Sequence, residues 1–163
     1  MNRIILVAGV IIVLLVVIFL IQGKGAFEPT IDPGGGGATK TLDLSNKGLE
    51  IVPSYVFSQT NLEELNISNN LLTGAISAEI RRLSSLKVLN ASNNLMTGVP
   101  AEIGQLQNLE ILDLSNNKLT GLPNELGNLT KLKTFNISGN QYSQQDLEYI
   151  RSKLPSSVNI IIN

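Results

Sequence analysis

The sequence predicts an α/β solenoid, with a parallel inner sheet of about six strands and short helical or 3₁₀ returns on the outer side, preceded by one transmembrane helix. Three observations predict it. Segments beginning at Leu62, Leu86, Leu109 and Leu132 read LEELNISNNLL, LKVLNASNNLM, LEILDLSNNKL and LKTFNISGNQY, at offsets of 24, 23 and 23 residues. Ile4 to Ile21 is an 18-residue run without a charge. Between the run and the repeats lies a segment containing Pro29, Pro33 and four consecutive glycines, Gly34 to Gly37.

The apolar run comes first. At ~1.5 Å per residue it reaches about 27 Å, which spans a bilayer core. β-Branched residues all round leave it no polar face, unlike a helix packed on a soluble core. A cleaved signal peptide is the alternative, but its apolar region is usually about 7 to 15 residues and ends at a small-x-small site. The nearest such site, Gly23-Lys24-Gly25, has glycines where alanines are preferred. We therefore read residues 1–3 as a short tail, 4–21 as an uncleaved signal anchor and 22–38 as a linker. Arg3 precedes the run and Lys24 follows it, so the charge bias is small. The short tail favours N-in insertion, with the rest of the chain extracytoplasmic. A flexible linker of this length has a span on the order of 20 to 25 Å. Its glycines are not a phosphate loop, because no Lys-Ser/Thr pair opening a helix follows them.

Residues 39–163 form the repeat domain. In the unit starting at Leu109, the side chains of Leu109, Leu112, Leu114, Leu119, Leu122, Leu126 and Leu129 are too many for one coil to enclose. Each coil must bury them against the next. The alternation at Leu112 and Leu114 marks a strand with one face inward. TLDLSNKGL, starting at Thr41, is an earlier unit, 23 residues before ELNISNNLL at Glu64. Pro53, Pro100 and Pro123 mark where the chain leaves the strand side, and short returns follow at 102–106 and 125–129.

Asn70, Asn94, Asn117 and Asn140 recur at one position of the unit. An inward amide there donates to and accepts from backbone groups freed by the turn, so stacked copies form a structural ladder. Lys47 replaces Asn in the first unit, where a terminal coil lets a long cation reach water. Ser143 to Asp146 is a capping-box variant that opens a helix through about Lys153, stopped by Pro155. Val158, Ile160 and Asn163 each follow Phe135, Ile137 and Asn140 by 23 residues. The chain is thus expected to end on a sixth strand in register, with Asn163 as a fifth ladder member.

The pattern LxxLxLxxNxL in these units resembles the leucine-rich repeat family over Thr41 to Asn163. The tails TGVPAEIGQLQN and TGLPNELGNLTK look like its 23-residue class, while TGAISAEIRRLSS, one residue longer, looks more like its plant-specific class. The resemblance implies a protein- or ligand-binding scaffold. Receptor kinases and bacterial ligases with similar repeats need an additional catalytic domain.

Stacked strands place equivalent residues in columns on the solvent face of the sheet. One column holds Glu64, Val88, Ile111 and Thr134, and another holds Asn66, Asn90, Asp113 and Asn136. These eight are the candidate binding residues for a protein, peptide or glycan. Val88 and Ile111 are the apolar pair at the centre. Solvation of the sheet and packing between strands explain the same residues without a ligand. A further column, Lys40, Glu63, Lys87, Glu110 and Lys133, alternates in sign and is read as stabilising the stack. The Asn-x-Ser/Thr patterns at Asn66, Asn90, Asn128 and Asn136 are treated as incidental, since most of them arise from repeat columns two residues apart.

Composition narrows the function. With 12 Lys plus Arg against 13 Asp plus Glu there is no excess of positive charge for nucleic acid. The absence of Cys and His removes thiolate nucleophiles, disulfides, imidazole bases and the usual zinc ligands. Asp43 and Asp113 lie three strands apart, roughly 14 to 15 Å, too far for a glycosidase pair. No catalytic, cofactor-binding or metal-ligating residue is assigned. The expected protein is a membrane-anchored recognition or adhesion module. The alternatives are a structural or self-assembling envelope protein, or a secreted repeat protein if the first segment is cleaved.

Overall fold

The computed structural model describes residues 40–163. The expected transmembrane helix at 4–21 and linker at 22–38 lie outside the described residues. Among the described residues no helix is long and apolar enough to cross a membrane.

Six three-residue strands make one parallel sheet: β1 (Thr41–Asp43), β2 (Glu64–Asn66), β4 (Val88–Asn90), β6 (Ile111–Asp113), β7 (Thr134–Asn136) and β8 (Asn159–Ile161), in that spatial order. The middle residue of each points inward. Leu65, Leu89, Leu112 and Phe135 are buried at these positions, and each contributes about 1.5 to 3 kcal/mol through burial. Two shorter strands, β3 (Thr73–Gly74) and β5 (Leu95–Met96), pair in parallel as a second sheet where the second and third coils leave the first.

The first five strands of the large sheet each run into a turn that needs a left-handed residue. Asn46, Asn69, Asn93 and Asn116 supply it at φ 52 to 56°, and Gly139 supplies it in the fifth coil at φ 68°. Asn tolerates this region because its short amide bonds locally. At Gly139 a side chain is also excluded by space, since a Cβ there would lie 3.3 Å from the Asn116 Cα and closer still to its amide oxygen.

The returns are 3₁₀ turns: η1 (Ser54–Ser58), η2 (Ala78–Arg82), η3 (Ala101–Gln105) and η4 (Asn124–Asn128). Pro53, Pro100 and Pro123 precede three of them in extended conformation, since a fixed φ suits the entry to a helical turn. The last return is instead the helix α1 (Gln144–Lys153), where Ser143 Oγ accepts from the Asp146 N–H at 3.3 Å. In η3 and η4 the fourth residue is a glycine that lets neighbouring coils approach closely. Gly104 packs on η4 so tightly that a Cβ would lie 2.6 and 2.8 Å from the carbonyl carbon and Cβ of Glu125, and a Cβ on Gly127 would lie 2.7 Å from that of Lys153. In η1 the same position is Phe57, 1% exposed.

The register of β8 corrects one expectation. Asn159 pairs with Thr134, Ile160 with Phe135 and Ile161 with Asn136, an offset of 25 rather than 23. The cause is α1. An α-helix rises ~1.5 Å per residue against ~2.0 Å in a 3₁₀ turn, so this return takes more residues to cross the same distance. Ile161 therefore enters the column of Asn66, Asn90, Asp113 and Asn136. Asn163 lies beyond the strand and exposed, and is not a ladder member.

Tyr55 in η1 has a buried hydroxyl with no hydrogen-bond partner among the described residues, and burial raises its pKa. An orphaned buried O–H costs roughly 1 to 3 kcal/mol. Tyr55→Phe is accordingly expected to raise the unfolding free energy by about 1 kcal/mol in urea titrations. An unchanged or lower value would mean that the hydroxyl has an unrecognised partner.

Candidate functional site

The solvent face of the inner sheet brings the predicted columns together. Register places Glu64 beside Val88, Val88 beside Ile111 and Ile111 beside Thr134. It likewise aligns Asn66, Asn90, Asp113 and Asn136. Ile111 is 40% exposed despite its apolar side chain, and Val88 is half-buried next to it. All eight candidate residues therefore share one face, and the aliphatic pair is central to it.

The polar column is held by its own turns. Asn66 Oδ1 accepts from the Ser68 N–H at 3.1 Å, and Asn90 Oδ1 accepts from both the N–H and the Oγ of Ser92 at 3.1 and 2.7 Å. Asp113 Oδ1 does the same for Ser115 at 2.9 and 2.6 Å, and Asn136 Oδ1 for Ser138 at 3.2 and 2.9 Å. These bonds fix the rotamers before any ligand arrives. Asn136 Nδ2 donates to Asp113 Oδ2 at 3.2 Å. The Nδ2 groups of Asn66 and Asn90 lie outside these turns, so the face offers amide donors beside an apolar pair and the Glu64 carboxylate. Asp43 belongs to the same column, and the Ser45 backbone N–H holds its carboxyl below the usual pKa.

Behind this face, four asparagines tie coil to coil. Asn70 Nδ2 donates to the carbonyls of Leu44, Ile67 and Ser68 at 2.9 to 3.1 Å, and its Oδ1 accepts from the N–H groups of Lys47 and Leu49. Asn94 donates to Ile67, Ala91 and Ser92 and accepts from Leu72. Asn117 and Asn140 repeat the pattern one coil further each time. Lys47, at the corresponding place in the first coil, is exposed, and its backbone N–H donates to Asn70 Oδ1.

The alternating charge column divides into two groups. Glu63 bridges Lys40 and Lys87, each at 2.6 Å, and Glu110 pairs with Lys133 at 2.6 Å. Hydrogen bonds from Lys40 and Lys87 lower the Glu63 pKa, that from Lys133 lowers the Glu110 pKa, and the bond to Glu63 raises that of Lys87. Lys87 thus turns toward Glu63 rather than Glu110. Sequence reasoning found the alternation but not this break, because alternating signs do not say which neighbour a flexible lysine chooses.

Among the described residues no cluster of three or more acidic side chains is placed to hold a metal ion. Asp43 and Asp113 sit on β1 and β6, three places apart in the sheet.

Comparison with known proteins follows this geometry. A leucine-rich repeat family model matches residues 38–96, and a two-copy leucine-rich repeat model matches residues 84–124 and 107–151. No curated protein matches the chain. A leucine-rich repeat protein of Leptospira interrogans is 37% identical over 67% of this chain and 27% of its own, with a TM-score of 0.62. The leucine-rich repeat ectodomain of the receptor kinase SOBIR1 from Arabidopsis thaliana is 28% identical over 74% of this chain and 67% of its own, with a TM-score of 0.60. The plant peptide hormone receptor RGFR1, solved in complex with RGF2, is 30% identical over 75% of this chain and 24% of its own, with a TM-score of 0.60. The chain spans about a quarter of the Leptospira protein's length. Together the family models cover residues 38 to 151, and the chain belongs to the leucine-rich repeat family.

Proposed function

We propose that the repeat domain is a recognition module that binds a protein or peptide across the solvent face of the inner sheet, with residues 4–21 tethering it to a membrane and the repeats on the extracytoplasmic side. The observation that carries the binding site is the Val88–Ile111 pair, with Ile111 40% exposed in a field of small polar side chains. Exposed aliphatic groups at the centre of a pre-ordered polar surface are where interface energy concentrates. The receptor-kinase ectodomain and the plant peptide hormone receptor in complex with RGF2 among the similar structures support the same reading. The tether rests on the apolar run alone.

The test is the double variant Val88→Asp plus Ile111→Asp. Both positions reach solvent, so the variant is expected to fold, and partner capture from an envelope extract is expected to fall by a factor of ten or more, about 1.4 kcal/mol. Unchanged capture by a variant with an unchanged thermal midpoint would remove this face from consideration. Protease accessibility in intact cells tests the orientation.

A further inference from the structure

The six-stranded sheet has two open edges, β1 and β8. An open edge offers unpaired N–H and C=O groups to any further strand, and folded proteins guard it with charge, proline or a bulge. β1 is guarded, with Lys40 just before it and Asp43 within it. β8 is not. From Ser156 to Asn163 the sequence reads SSVNIIIN, without charge, proline or glycine. Ile160 and Ile161 are half-buried and Ile162 is 39% exposed, so this edge lacks the cover that the inner strands give each other. On its core side Leu154, Pro155, Val158 and Ile160, with Arg151, line a depression of about 290 Å³.

Main-chain groups alternate along β8. Asn159 N–H donates to Lys133 C=O at 2.9 Å, and Ile161 C=O accepts from Ile137 N–H at 2.9 Å. Asn159 and Ile161 thus use their backbone on β7, and the backbone groups of Ile160 and Ile162 face the open edge. Val158 faces it too, but its N–H is already bonded to Pro155 C=O at 3.0 Å. The segment Asn159 to Asn163, NIIIN, reads the same in both directions, so its best-matched antiparallel partner is itself. We propose that two copies of the chain join by antiparallel pairing of β8 about a two-fold axis at Ile161. In that register Ile160 and Ile162 of one copy exchange N–H and C=O bonds with Ile162 and Ile160 of the other, using the groups that face the edge. Centring the axis on Ile160 would instead require the Val158 N–H, which is taken. Asn159 lies opposite Asn163, amide to amide, and Ile161 lies opposite itself. Ile162 falls on the core side beside Ile160 of the other copy, at the mouth of its depression. The contact is isologous and closes on itself. Its axis is perpendicular to the sheet, so both solvent faces look the same way. The two Ile111 side chains then sit five strand spacings apart, about 24 Å, and a two-fold partner engages both faces at once.

The chain has no cysteine, so single cysteines report the contact. In the full chain, held in mild detergent with copper phenanthroline and air as oxidant, Ile161→Cys is expected to form a disulfide-linked dimer at least tenfold faster than Tyr149→Cys. Tyr149 is the control because it is 46% exposed and lies on α1. Opposed residues that do not exchange hydrogen bonds have Cα atoms about 4.5 Å apart, within the roughly 4.4 to 6.8 Å that a disulfide spans. Asn159→Cys and Asn163→Cys chains are expected to cross-link when mixed and not when alone, which fixes the register. Ile162→Lys, at an exposed position, is expected to weaken the dimer at least tenfold in analytical ultracentrifugation, whereas Val88→Asp plus Ile111→Asp leaves it unchanged. The proposal is overturned if Ile161→Cys links no faster than Tyr149→Cys, if the mixed chains fail to link, or if Ile162→Lys associates as tightly as the original. Open-ended assemblies joining β8 of one copy to β1 of the next would overturn it too.

Discussion

Asn94→Ala is expected to destabilise the repeat domain by about 3 to 5 kcal/mol, at the top of the range for single substitutions. The side chain is 5% exposed and serves four backbone groups: the carbonyls of Ile67, Ala91 and Ser92 and the N–H of Leu72. Alanine leaves the Leu72 N–H without its partner at a site where water does not reach it, which costs roughly 1 to 3 kcal/mol. The carbonyls of Ile67, Ala91 and Ser92 each lose one of two donors, keeping Asn70 Nδ2, Asn117 Nδ2 and the Asn69 N–H, at about 0.5 to 1.5 kcal/mol per lost bond. Two of the four groups, at Ile67 and Leu72, belong to the preceding coil, so the loss acts on the stacking of coils rather than on one turn. Asn140→Ala removes a comparable set from a half-buried site, and water replaces part of what is lost. Its cost is therefore expected to be smaller. Urea unfolding of the two variants side by side checks both the size and the order. Equal losses would mean that burial is not what makes these amides matter.

Gly104→Ala is expected to cost about 3 kcal/mol, the upper end for an overpacked site. The new methyl would fall 2.6 to 2.8 Å from the carbonyl carbon and Cβ of Glu125 and nearer still to its carbonyl oxygen. Those atoms are mostly backbone of η4 and have no rotamer to change, so the two returns must part. Gly98→Ala is the matched control. Its Cβ would meet only the Ala75 Cβ, at 3.9 Å, and the substitution is expected to stay within about 0.5 kcal/mol of the original stability. Thermal unfolding distinguishes them, and a Gly104→Ala chain as stable as the Gly98→Ala chain would show that the outer returns yield freely.

The two expectations differ in how far sequence alone reaches. The ladder asparagines and the strand positions stand out because they recur, and a recurring polar residue at a fixed distance from recurring leucines has few structural explanations. The Ser143 cap and the stop at Pro155 were legible for local reasons, since a cap bonds its own turn. The register of β8 was not legible. It depends on how many residues the preceding return consumes per ångström, and the pattern that identifies α1 as a helix does not count them against a 3₁₀ turn. The β3–β5 pair was equally hidden, because two-residue strands show no alternation and are made by backbone placement at Thr73–Gly74 and Leu95–Met96. For the candidate face, the columns could be listed from the spacing, but the locking of Asn90 and Asp113 onto Ser92 and Ser115 could not.

The close approaches at Gly104 and Gly127 also bear on how the domain moves. In a stack whose members touch only their neighbours, rigidity is set interface by interface. Gly104 and Gly127 let the third, fourth and fifth coils close against each other along the outer side, whereas the first coil meets the second chiefly through β1–β2 and the Asn70 bonds on the inner side. That joint is expected to bend about its inner edge more readily than the joints at Gly104 and Gly127. The closely packed third and fourth coils, which carry the Val88–Ile111 pair, are expected to be stiffer.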